Sequence, residues 1–164
     1  MGILPWPAAL LALSFGLGFP DIDLAIHYHR SIFTHSALFP LFAATYAGAA
    51  GGAFAFGVAV HLTADLFVQG WHGFALIKVP VIGSLGSLSP AWILANAFLC
   101  FLLAAWRWAG GPPWQRKACA LVGAATMIGY SLLHEDKIVP ILLMLVLGYA
   151  AWRLMRRPAQ GRAP

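Results

Sequence analysis

Charge is scarce in this sequence: Asp, Glu, Lys and Arg make up 9% of 164 residues, against roughly a quarter in soluble domains. That shortage excludes an ordinary water-soluble protein, because so little charge cannot cover a solvated surface. Acid is scarcest, with five Asp and Glu in all, so each carboxylate is worth locating. Cysteine is nearly absent: Cys100 and Cys119 lie in separate apolar runs and form no Cys-x-x-Cys pair, which excludes a disulfide framework and a cysteine metal knuckle. Ahead of the first apolar run, Met1-Gly2-Ile3-Leu4-Pro5-Trp6 has neither the basic start of a signal peptide nor the Ser/Thr of a myristoylation motif. The first apolar segment therefore reads as a retained span.

What remains is apolar, 61% of residues, with 13% aromatic. Lipid is the expected solvent. A chain of this length supplies about six spans of ~20 residues, so the expectation is an all-α polytopic bundle. It forms one membrane domain over 1–157, followed by a short basic tail at 158–164. A formal charge of +5 would suggest nucleic acid in a soluble protein. Here the basic residues sit in short loops and in the tail, as orientation signals do, and no nucleic-acid partner is expected.

Apolar runs and turn residues predict a first helix over about 3–19, stopped by Pro20, then a polar stretch to Thr34. The next run, 36–68, is too long for one helix and short for two full spans. Gly48, Gly51 and Gly52 interrupt it, and it reads as a helical hairpin whose second arm is the better formed. Residues 70–89, rich in Gly, Ser and Pro, read as a re-entrant or surface loop. Helices follow at about 90–108, 118–133 and 138–154. With six crossings, one side receives Arg107, Arg116, Lys117, Arg153, Arg156, Arg157 and Arg162, and the other only Arg30, Lys78 and Lys137. The first side is then cytoplasmic with both termini, and all five acids share the outer side. A single helix through Gly48–Gly52 would instead separate His61 and Asp65 from His35.

Three clusters carry chemistry. In Pro20-Asp21-Ile22-Asp23 two carboxylates separated by one residue point the same way from an extended segment and suit divalent cations. A solvated, helix-ending loop is the plainer alternative. His27-Tyr28-His29-Arg30 and Thr34-His35-Ser36 place three imidazoles within nine residues. Thr34 or Ser36 can be simply a helix N-cap, and Arg30 would repel a metal but hold a phosphate or carboxylate. His61 and Asp65, four residues apart in an apolar helix, share one face. An ionisable group at a span centre costs on the order of 2.5–3.5 kcal/mol on insertion scales, so it faces the bundle interior and has a partner. The candidate ligands are therefore Asp21, Asp23, His29, His35, His61 and Asp65. This mixed N/O set suits one or two ions of zinc first, then manganese, iron or magnesium, and does not suit haem.

These elements, in this order, resemble the YdjM-like family of inner-membrane metal-dependent hydrolases. The family pattern is a span ending in Pro-Asp-x-Asp, a His-Arg then Thr-His-Ser motif, and a His-x-x-x-Asp helix, and the match covers roughly residues 15–80. The chain departs from it in a His29-to-His35 spacing one residue longer than the commonest version, and in lacking a first-helix histidine. The resemblance implies a metal-dependent hydrolase and names no substrate.

The expected function is a hydrolase of the bacterial inner membrane. Asp21, Asp23, His35, His61 and Asp65 bind the metal, Arg30 holds an anionic group, and His29 is a ligand or general acid. The partners expected are membrane lipids, with a lipid or lipid-linked ester or phosphoester as substrate because the site opens at headgroup depth. Trp71 and His72 are candidates for its mouth, and His134-Glu135-Asp136-Lys137 for supporting contacts. The rival readings are a metal-ion or proton-coupled transporter and a non-catalytic membrane protein with a structural metal.

Overall fold

The computed structural model describes residues 6–26, 28–67, 74–134 and 138–155. Among these the protein is an all-α bundle of six helices. Helix α1 (Trp6–Gly18) runs into a 3-10 segment, Phe19–Ile26, because Pro20 has no N–H to continue the α-helical ladder. Helices α2 (Leu38–Tyr46) and α3 (Gly48–Ala64) form the expected hairpin, broken where Gly48 takes a positive φ of 59°. A 3-10 turn, Asp65–Phe67, ends α3. Helix α4 (Ser89–Ala109) starts with Pro90 in its first turn, where a missing N–H costs nothing. Helices α5 (Pro113–His134) and α6 (Ile138–Met155) complete the bundle.

Among the described residues, four helical segments are long and apolar enough to cross a membrane: Trp6–Ala25, Gly48–Phe67, Gly86–Ala109 and Ile138–Met155. The hairpin run, read as short for two full spans with its second arm the better formed, divides unequally. At nine residues α2 is about 14 Å long, half of a ~30 Å hydrocarbon layer, so the first arm of the hairpin is a half-span. Helix α5 is long enough but carries Gln115, Arg116 and Lys117 near its start.

Helix α3 is the axis of the bundle, with 78% of its apolar window buried against 17% for α6 and 28% for α1. The outer helices turn Leu10, Leu11, Phe15, Leu142 and Val146 outward, which leaves an exposed apolar surface. The crossing of α1 with α3 is close because both helices place glycine there. A Cβ on Gly57 would lie 2.5 Å from the Leu13 carbonyl oxygen, and one on Gly16 would overlap the Phe54 carbonyl. This approach brings the last turn of α1 onto His61.

The stretch read as a re-entrant or surface loop contains, among its described residues, a small antiparallel hairpin, β1 (Lys78–Val79) with β2 (Gly83–Ser84), pairing Lys78 with Ser84. Period-two alternation over two residues is too short to read from sequence. The hairpin is tied inward: Ser31 pairs with Lys78, Ile32 N–H donates to the Lys78 carbonyl at 2.9 Å, and Lys78 N–H donates to the Arg30 carbonyl at 2.8 Å.

A candidate metal centre at one end of the bundle

The chain brings its three histidine and aspartate motifs together at one end of the bundle. Asp21 and Asp23 come from the 3-10 segment after α1, His29, Arg30 and His35 from the loop before α2, and His61 and Asp65 from the end of α3. The two aspartates do not share an extended segment as expected. In a 3-10 turn residues two apart diverge, and Asp23 is buried while Asp21 stands at the rim, its side chain 39% exposed.

Asp21, His35 and His61 each offer one ligand atom within 4.8 Å of the other two. Asp65 joins them: its Oδ2 lies 3.1 Å from His35 Nε2 and 3.7 Å from His61 Nε2, and Asp21 Oδ1 lies 3.7 Å from His61 Nε2. Two ligands at ~2.1 Å from a tetrahedral ion are about 3.4 Å apart, so these spacings are those of a coordination shell.

The tautomers follow from the outward-facing nitrogens. His61 Nδ1 lies 2.9 Å from the Leu17 carbonyl oxygen. A carbonyl only accepts, so Nδ1 carries the proton and Nε2 is left a bare lone pair. The Tyr130 hydroxyl stands 2.9 Å from the same nitrogen. His35 is fixed by a relay. Thr34 Oγ1 donates its proton to Asp23 Oδ2 at 2.6 Å, and therefore accepts from His35 Nδ1–H at 3.1 Å. Backbone N–H of Ser31 also donates to Asp23 Oδ2, at 2.7 Å. In the neutral rings both Nε2 lone pairs thus face carboxylate oxygens. His35 Nε2, His61 Nε2 and Asp65 Oδ2 are all buried and lack hydrogen-bond partners. Buried polar atoms are rarely left this way; a divalent cation satisfies all three at once, and oriented imidazoles held by a second N–H bond are the usual setting for one.

Arg30 borders the cluster, Nη2 3.8 Å from Asp65 Oδ1, with a buried Nε that has no hydrogen-bond partner. Its backbone takes φ 66°, a conformation unfavourable for a non-glycine residue, held by the Lys78 strand. His29 is the most exposed imidazole of the set, its side chain 31% exposed and its Nδ1 3.5 Å from Asp21 Oδ1. Partial burial and the adjacent Arg30 push its pKa below the ordinary histidine value, against the pull of Asp21, so the neutral form that a ligand needs is favoured.

Only one of the two candidate caps reaches α2, and it does so from one residue before the N-cap position. Ala37 holds the N-cap position, with its N–H donating to Asn96 Oδ1 at 2.8 Å. Thr34 is spent on Asp23, while Ser36 Oγ donates to the Phe33 carbonyl and accepts from Leu38 N–H. Sequence reasoning missed Tyr130, Asn96 and Trp92, whose indole N–H holds the His35 carbonyl at 2.8 Å. Each is an isolated polar group in an apolar helix, which signals an inward partner without naming it. His27, Trp71, His72 and Glu135-Asp136-Lys137 lie outside the described residues, as does the side chain of His134.

Among the described residues, fold and site together define an all-α bundle with four helices of membrane-crossing length and a His/Asp cluster able to hold a metal ion at one end. No protein-family model, no curated protein and no solved structure matches the chain.

Proposed function

We propose that the chain is a membrane-embedded, metal-dependent hydrolase acting on a lipid or lipid-linked ester or phosphoester at the outer face of the bacterial inner membrane. The observation that carries the metal is the meeting of two imidazole Nε2 atoms with the Asp65 carboxylate in a buried space. Asp21, His35, His61 and Asp65 would hold the ion, with zinc the first candidate for this N/O set. A divalent ion there supplies Lewis acidity, which activates water and polarises an ester or phosphoester bond.

The chain's own residues supply the rest. Arg30, beside Asp65 and only partly exposed, is placed to hold an anionic group of the substrate. Asp23 and Thr34 fix the His35 ring, and Leu17 fixes that of His61. The hydrolytic activity itself rests on the motif resemblance to YdjM-like proteins. The lipid substrate rests on the cluster's place at the ends of membrane-length helices. Arg107, Arg116 and Lys117 gather at the opposite end, where Arg107 lies against Gly48 and Gly52 at the start of α3. By the positive-inside rule that end would lie in the cytoplasm and the cluster outside. Transport is less favoured, because α3 below His61 is buried from Gly51 to Val60 with no ionisable group along it.

The test is turnover. Purified chain, stripped of metal and reloaded with zinc, manganese, iron or magnesium, is assayed against phospholipids and lipid-linked phosphoesters. Metal-dependent hydrolysis that disappears in His61→Ala supports the reading. Metal retention with no hydrolysis across the panel contradicts it and favours a structural metal.

A further inference from the structure

The centre formed by Asp21, His35, His61 and Asp65 leaves two ligand atoms without a role. Asp23 is 3% exposed, and while its Oδ2 is taken by Ser31 and Thr34, its Oδ1 is buried with no hydrogen-bond partner. His29 Nδ1 is buried and unpartnered as well. The two orphans face each other at 3.8 Å, and His29 Nδ1 is 3.5 Å from Asp21 Oδ1. These are again spacings of ligands around one ion, for which about 3.4 Å is expected in a tetrahedral shell. Asp21 Oδ1 therefore stands between two sets of ligand atoms, 3.5 Å from His29 Nδ1 on one side and 3.7 Å from His61 Nε2 on the other.

We propose that the site is binuclear: a second divalent cation is held by His29, Asp23 and Asp21, and the Asp21 carboxylate bridges it to the first. The inference rests on the reading of the first centre as a metal site. Two considerations favour two ions over one. Gathering all the protein ligands on a single ion would fill its coordination shell, whereas catalytic ions keep a position open; divided between two ions, the same ligands leave open positions on both. Charge points the same way for function. Two divalent ions and Arg30 outweigh three carboxylates and leave the pocket positive, so the group it selects is an anion. A phosphoester is then the substrate class, in preference to a neutral carboxylic ester. His29 is in this arrangement a ligand and not a proton donor.

Manganese titration of the purified chain in detergent tests this. The wild type is expected to bind two Mn²⁺ per chain, with an exchange-coupled electron paramagnetic resonance spectrum that reports the shared carboxylate. His29→Ala, at a partly exposed position where folding should survive, is expected to bind one and to give the six-line spectrum of an isolated ion. Asp23→Asn is expected to do the same. A wild type that binds one Mn²⁺, lost in His61→Ala, overturns the second site and leaves the first standing. Two ions retained in His29→Ala also overturn it. No uptake by the wild type overturns both.

Discussion

His35 Nε2 lies 3.1 Å from Asp65 Oδ2, a contact that only a shared proton or a cation can hold together. In the neutral ring the single proton is on the other side, where Nδ1–H meets Thr34. The approach is one of lone pair to carboxylate, and it makes sense with a cation between them.

Thr34 then controls the metal without touching it. Thr34→Val removes both the acceptor for His35 Nδ1–H and a donor to Asp23, and should weaken metal affinity about 10- to 100-fold, the usual cost of losing such a supporting bond. Thr34→Ser keeps the hydroxyl and should restore most of it. Competition against a chelator of known affinity measures both, and an unchanged Thr34→Val would count against the relay.

The close crossing of α1 and α3 sets the Leu17 carbonyl on His61. Gly57→Val forces the helices apart at Leu13 and Leu17, and overpacking of this kind costs about 1–3 kcal/mol. Thermal unfolding in detergent should show a lower midpoint, with metal binding weakened in the same variant. Gly18→Ala, where a Cβ meets nothing, should leave both unchanged.

Arg30 should act on the anion and not on the metal. Arg30→Asn keeps a residue tolerant of positive φ and removes the charge. Metal stoichiometry should be preserved while inhibition by inorganic phosphate weakens at least tenfold. Loss of metal together with phosphate sensitivity would place Arg30 in the architecture of the centre instead.

Metal binding should weaken as pH falls, because protons compete for imidazole nitrogens that must be neutral to coordinate. An ordinary histidine titrates near about 6.5. His29 is held below its ordinary value, so the unfolded chain takes up its proton first as pH drops. In the metal-free protein its contribution to stability is therefore full above about pH 6.5 and lost as pH falls through the folded value. Unfolding midpoints against pH should show this loss in the wild type and less of it in His29→Ala.

Much of this arrangement was legible in the sequence, and the limits are physical. The His61 and Asp65 spacing by itself fixes a shared helical face, and Gly48 marks the hairpin turn that returns them to the side of His35. Composition placed the helices within a few residues, because apolar runs bounded by Pro and Gly leave few choices. The conformation of Asp21 and Asp23 was not legible: an extended and a 3-10 path both satisfy Pro-Asp-x-Asp. Thr34 looked like a cap because a cap and a carboxylate partner use the same hydroxyl. The partners of Tyr130 and of the Leu17 carbonyl were not legible, since they depend on helix packing that no local pattern encodes.

The most direct test of the central claim is the metal content of the purified chain beside His61→Ala, by elemental analysis under conditions that preserve bound metal. Stoichiometric divalent metal is expected in the wild type, and its loss in His61→Ala. Two samples equally free of metal would contradict it.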